Sequence, residues 1–188
     1  MKIMKPYVLL ILFIFSYAGY SQTGMSTIYF LNGKILKKKA SIGINNVIVY
    51  GRNLDYNDIE RVEFEVVEGS RKIEYEYVYL EKKKKPILME IIYKGSKTTL
   101  YSRKAYIYNT NLHNTITEEF GHYGKKYNSK YAVKISLQGT NAIYGNKFKK
   151  KGAQFFSDCP KLSELIKLKK IKNKDKIKAF EYYEKECN

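Results

Sequence analysis

The chain of 188 residues has no tryptophan, three prolines, two cysteines and two histidines, and only four of its 35 basic side chains are arginine. Each scarcity narrows the chemistry. His113 and His122 have no further histidine at ligand spacing, and the two cysteines are better placed for a bridge than for a metal, so no metal site is expected. The sequence carries no glycine-rich phosphate loop, no G-x-S-x-G elbow and no serine with an evident histidine and acid partner. No cofactor is expected and the chain does not read as an enzyme. One alternative keeps a hydrolase open: His113 or His122 gathered with Glu118 or Glu119 in a pocket. The shortage of arginine, the side chain that grips phosphate in bidentate fashion and reads base edges, also weakens a sequence-specific nucleic-acid reading.

What is abundant is lysine and tyrosine. Acidic residues number 18 against 35 basic ones, a formal charge of +17. Such a balance invites an anionic partner, although lysines in runs, as at 37–39, 82–85 and 149–151, also make ordinary solvated faces. Nineteen tyrosines offer either core volume or an aromatic platform. Tyr75, Tyr77 and Tyr79 are the candidates for a binding surface, and the deciding question is whether they share a sheet face with Val62, Phe64 and Val66.

The first 21 residues read as a secretory signal. Lys2 and Lys5 precede an apolar run from Tyr7 to Ala18, followed by Gly19-Tyr20-Ser21. A run of about a dozen residues is too short for a membrane span, which needs about 20. Cleavage is expected between Ser21 and Gln22, leaving an exported chain with no transmembrane span, in the periplasm or outside the cell. Losing Lys2 and Lys5 takes the charge from +17 to +15.

From Ser26 onward the apolar period is two. Residues 27–31 and 34–36 flank Asn32-Gly33, a strong two-residue hairpin signal because both turn positions favour positive φ. Strands are expected over 46–50, 58–66, 73–79, 87–93, 98–101, 105–108 and 131–137. Glu63, Glu65, Glu74 and Glu76 alternate with apolar residues and should form a solvent face, pairing across strands with basic residues. Residues 109–130 read mainly as loop, with one short strand around 117–123.

The period changes to helical after 146. A short helix over 147–156 sets Phe148, Phe155 and Phe156 on one side. Two more helical patterns follow, with Leu162, Leu165 and Ile166 on one and Ile177, Phe180 and Tyr183 on the other. Pro160 suits a first helical position, while Asn173 and Asp175 suit the start of the second helix. With the turn near Lys172, Cys159 lies 13 residues before it and Cys187 15 after. Antiparallel helices of that length bring the two sulfurs to one end, and an exported location favours a Cys159–Cys187 bridge.

The expected architecture is therefore α+β: an antiparallel, β-rich sandwich or open barrel of about seven or eight strands over 22–146. A C-terminal helical segment over 147–188, a short helix and then a disulfide-closed hairpin, packs on the sheet. The opening Thr27-Ile28-Tyr29-Phe30-Leu31-Asn32-Gly33-Lys34, the segment 54–64, Phe155-Phe156-Ser157-Asp158-Cys159-Pro160 and the terminal 180–187 together resemble a group of small exported proteins of Bacteroidota. That resemblance implies a β-rich exported protein with a cysteine-closed helical tail and carries over no catalytic residue. The functional expectation is a non-enzymatic envelope protein that binds or supports another envelope component. The alternatives are a basic module on anionic envelope polymers, lipopolysaccharide or nucleic acid, and the hydrolase above.

Overall fold

The computed structural model describes residues 22–65, 72–109, 115–139 and 145–187. The proposed signal segment, Val66, the turn at 68–70 and His113 lie outside the described residues. Among those described, ten strands form one open antiparallel sheet: β1 (Gln22–Phe30), β2 (Ile35–Ile42), β3 (Val47–Val49), β4 (Arg52–Asn53), β5 (Ile59–Glu65), β6 (Lys72–Val78), β7 (Ile87–Lys94), β8 (Thr98–Asn109), β9 (Thr115–Lys126) and β10 (Val133–Gly139). Their order is β10-β9-β8-β7-β6-β5-β1-β2-β3-β4. The antiparallel, β-rich architecture is as expected, with ten strands in place of about seven or eight and one open sheet where a sandwich or open barrel was expected. Two up-and-down meanders, β1 to β4 and β5 to β10, are joined because β5 pairs with the free edge of β1, setting Val62 opposite Ile28.

Two turns explain the register at the β1 end. Asn32-Gly33 does close a hairpin, but only Gly33 has positive φ, at 81°. The amide of Gly33 donates to the carbonyl of Phe30, and the Asn32 side chain accepts from the amide of Lys34, so the loop holds three residues, with glycine in the left-handed position. The tight two-residue turn falls instead on Tyr50-Gly51, whose φ values of 51° and 75° are both positive, between the paired residues Val49 and Arg52.

The other large departure is β9. Its twelve residues carry Gly121 and Gly124 with Glu118, Glu119 and His122, a composition that reads as loop. It forms because β8, also twelve residues long, supplies a partner at every position from Thr98 opposite Lys126 to Asn109 opposite Thr115. The two segments expected at 98–101 and 105–108 are one continuous strand.

Three helices follow: α1 (Gly145–Phe155), α2 (Pro160–Lys167) and α3 (Lys176–Glu186). Pro160 occupies the first turn of α2, where its missing amide hydrogen costs nothing. Lys169, at φ 59°, ends α2: the amide of Lys169 donates to the carbonyl of Ile166 and that of Lys170 to Leu165, the Schellman pattern usually built on glycine. Asn173 does not cap α3. It lies in a 3₁₀ turn, Asn173–Asp175, and its amide nitrogen donates to the carbonyl of Leu137 in β10.

Phe148, Phe156, Leu162, Ile166, Phe180 and Tyr183 bury against Leu100 and Ile135 of the sheet. Phe156 meets Phe180 edge-on at 5.1 Å, and Phe155 stacks on Phe180 at 5.7 Å. Ile177, expected on the buried side of α3, is exposed, and Ala179 and Lys176 take the sheet side instead. Gly124 makes the docking possible, since a β-carbon there would lie 2.7 Å from the Phe155 ring. Cys159 and Cys187 form the expected disulfide, with Cα atoms 5.7 Å apart.

Candidate functional site, a cleft where two strands part

One row of directly opposed residues crosses the sheet on the face that carries the helices: Leu36, Ile28, Val62, Tyr75, Glu90, Ser102, His122 and Ser136, on β2, β1, β5, β6, β7, β8, β9 and β10. It changes character at Tyr75. On the β1 side it is apolar and joins a core of Ile28, Ile42, Val47, Val62, Phe64 and Leu88. On the β10 side it is polar and runs beneath the helices.

The cleft opens at that change. β8 pairs with β7 only as far as Ser102 opposite Glu90, then continues for seven residues, Arg103 to Asn109, with β9 alone. Among the described residues no strand pairs with the β7-side edge of that overhang. The loop between β2 and β3 folds across the gap, and the Asn45 side chain accepts from the amide of Leu88 at 2.9 Å, replacing the strand partner that β7 lacks there. Between this loop and the departing arm lies a cavity of about 320 Å³. Its apolar wall comes from Ile42, Ile44, Leu88 and Phe120, and its polar wall from Glu90, Ser102 and Lys104. Tyr75 stands at the junction, its hydroxyl pushed up to about 12 by burial and by the charge of Glu90.

The three candidate tyrosines separate. Tyr75 and Tyr77 share the face of Val62 and Phe64, Tyr75 directly opposite Val62, and both pack against that core. Tyr77 is held further by the Tyr56 ring at 5.9 Å, and burial pushes its hydroxyl up to about 12. Tyr79 lies beyond β6, exposed, with the Lys130 ammonium 5.8 Å from its ring. No exposed platform of three rings results, and only Tyr75 reaches the cleft. Glu90, Ser102 and Phe120 were not singled out from the sequence. A lone carboxylate inside the apolar run Ile87–Tyr93 was the available signal for Glu90.

Of the hydrolase candidates, His113 lies outside the described residues, and the described part of β9 separates Glu119 from His122. β9 alternates without a break, so Glu119 lies on the face opposite His122. His122 itself is 5% exposed, and burial, reinforced by the nearby Lys176 charge, lowers its pKa to about 4. Neither its Nδ1 nor Oγ of Ser136 has a hydrogen-bond partner among the described residues. The strand carboxylates behave as a paired surface: Arg61 bonds Glu63 at 2.6 Å and approaches Glu74 at 3.5 Å, and Lys94 bonds Glu76 at 2.8 Å. Burial raises the Glu63 carboxyl, but the hydrogen bonds from Arg61 and Tyr29 and the charges of Arg61 and Lys72 together outweigh that and leave it below its ordinary value.

The cysteines are structural, closing the mouth of the α2–α3 hairpin. Beside them Glu184 accepts from the Ser96 hydroxyl, the amides of Lys97 and Thr98, and the Thr98 hydroxyl, clamping the β7–β8 turn to α3. Gly95 has no room for a side chain because that carboxylate fills the space.

Among the described residues no helix is long and apolar enough to cross a membrane. Comparison with family models, with curated proteins and with solved structures finds no match. The fold and the cleft thus define a class only in structural terms: an open, ten-stranded antiparallel sheet with a disulfide-closed helical tail.

Proposed function

We propose that this is an exported, non-enzymatic binding module of the cell envelope, which takes an extended segment of another envelope protein along the β7-side edge of the β8 overhang, with which no described strand pairs. The observation that carries the reading is the overhang of β8. An unpaired strand edge is a template for another strand, whose backbone supplies affinity while alternate side chains enter a neighbouring pocket. Here the pocket adjoins the edge and offers both an apolar and a polar wall. The disulfide is compatible with export, and the signal-like segment before Gln22 supports it.

A photo-crosslinking residue at Ile44, on the cleft rim, should capture one envelope protein that the same residue at Tyr127, on the β9–β10 turn, does not. A peptide from the captured segment should then slow amide exchange along residues 103–109. Equal capture at both positions, or unchanged exchange in β8, would remove the reading. A hydrolase built on a different set, the aligned row Glu90, Ser102 and His122, is the second reading, and a fluorophosphonate probe decides it. Labelling of Ser102 that disappears in His122→Gln would establish an enzyme. The depressed imidazole, a weak base, predicts no labelling.

A further inference from the structure

The lysines are not distributed like the carboxylates. On the sheet, Arg61, Lys72 and Lys94 each face glutamates. Over 145–187 there are thirteen lysines against six acidic residues and no arginine. Five of those lysines fall within 165–174, interleaved with Leu165, Ile166, Leu168 and Ile171. This segment is the end of α2 and the turn that follows.

A cavity of about 280 Å³ opens between that turn and α1. Its floor is apolar, from Phe148, Ile166 and Ile171, and its rim carries Lys149, Lys169, Lys172 and Lys174. None of the four rim lysines has an ion-pair partner among the described residues; the nearby Asp175 pairs with Lys178 at 3.6 Å. Leu168, beside the rim, is 58% exposed. Lys169 holds the left-handed position that glycine fills without strain, so the turn presents a cation at a backbone position that disfavours any side chain.

We infer that this turn and the adjoining face of α1 form a docking surface for an anionic lipid leaflet, with the rim lysines on headgroup phosphates and Leu168 entering the acyl boundary. Charge complementarity selects the partner's sign, and the apolar floor inside a cationic rim matches an amphiphile better than a polymer. Strand-binding proteins stack bases on exposed rings, but the one aromatic of this cavity, Phe148, is buried, which argues against single-stranded nucleic acid. Lysines act as point charges and suit a fluid array of phosphates that needs no bidentate geometry. Each contributes about fivefold to partitioning onto an anionic surface. This surface is separate from the cleft, and neither depends on the other.

The test uses the full-length, disulfide-intact mature chain with vesicles of phosphatidylcholine, alone or mixed with phosphatidylglycerol, at low and high salt. Binding should require the anionic lipid and fall away at high salt. Replacing Lys149, Lys169, Lys172 and Lys174 together by glutamine should weaken it by roughly two orders of magnitude or more. The same replacement of Lys82, Lys83, Lys84 and Lys85, an exposed run of equal charge, should change it by no more than about twofold, which controls for net charge. Lys169→Gly should weaken binding about fivefold while raising the melting temperature, a pairing that loss of folding does not produce. Equal effects of the two fourfold variants, failure to bind anionic vesicles, or complete competition by a single-stranded polynucleotide would overturn the inference.

Discussion

The two ends of the sheet are held together by different means. At the β1–β5 end the core is largely aliphatic, and the attachments are ladder hydrogen bonds between strands. The side-chain ties there are few and spread out, among them Thr23 to Ser41, Arg61 to Glu74 and, over the longest stretch of chain, Asn45 to the amide of Leu88. At the helical end nearly every attachment is a side chain: the Cys159–Cys187 bridge, Glu184 on the 96–98 turn, Asn173 on the Leu137 carbonyl, and Asp158 joined to Tyr183 at 2.5 Å and Lys126 at 2.6 Å. The Lys97 ammonium also reaches the carbonyl of Cys187. The contrast follows from hydrogen bonding. A strand spends its backbone groups on its neighbour, whereas a helix spends them internally and has only side chains left with which to hold a sheet.

The bridge should therefore be the largest single contributor at the helical end. Closing a loop of 28 residues is worth about 3.5 kcal/mol on the chain-entropy model. The Cys159→Ser, Cys187→Ser double variant should lose that much in denaturant melts. Amides of α2 and α3 should lose exchange protection before those of β1 and β2. Simultaneous loss at both ends would show one cooperative unit and erase the comparison.

Acid should also strike the helical end first. The pKa of His122 falls from 6.5 in the unfolded chain to about 4 in the fold, so between those values the unfolded state binds the extra proton. Stability is then full above pH 6.5 and declines as the pH falls toward 4, by up to about 3 kcal/mol. Below that window Asp158 and Glu184 add to the loss. Burial raises both, but Lys126 and Tyr183 on Asp158, and the Thr98 and Lys97 donors on Glu184, leave each below its ordinary value. His122→Gln should flatten the upper part of the pH profile, and an unchanged slope between pH 6.5 and 4 would refute the assignment.

The side-chain ties can be ranked in the same way. Glu184→Gln removes a carboxylate that accepts several bonds, and should cost about 1.5 kcal/mol. Asn45→Ala removes the tie that holds the β2–β3 loop on β7, at about 1 kcal/mol. Its effect should appear as faster exchange at the Leu88 amide. If Asn45→Ala proves the costlier, the ladder is a weaker attachment than the comparison holds.

How much of this was legible in the sequence follows the same division. Period-two strands such as Val62-Glu63-Phe64 and the Phe155, Phe156, Phe180 contact surface announce themselves, because burial on one face leaves a local pattern. β9 does not. Its glycines and charges look like loop, and it becomes a strand because β8 pairs with it along its length, from Asn109 opposite Thr115 back to Thr98 opposite Lys126, information that no local window of β9 holds. The cleft was hidden for a related reason. Glu90, Ser102 and His122 are ordinary residues until register aligns them, and the gap arises only where β8 outruns β7. The disulfide was legible because two helices of similar length fix the separation of their ends.

The smallest effects lie at the two non-glycine residues of positive φ, one at each end. Tyr50 sits in the first position of a tight turn that favours asparagine or glycine, and the residue is 78% exposed. Its contact there is the Lys38 ammonium, 5.9 Å from the ring centroid, worth well under about 1 kcal/mol at so exposed a site. Tyr50→Asn relieves the backbone and forfeits little, so melts should show a gain of up to about 1 kcal/mol. Lys169→Gly relieves the same conformation at the helical end, but glycine also widens the unfolded ensemble, which returns part of the gain. Tyr50→Asn should thus be the more stabilising of the two. The reverse order would mean that the Lys38 contact, exposed as it is, outweighs left-handed strain at the turn between β3 and β4.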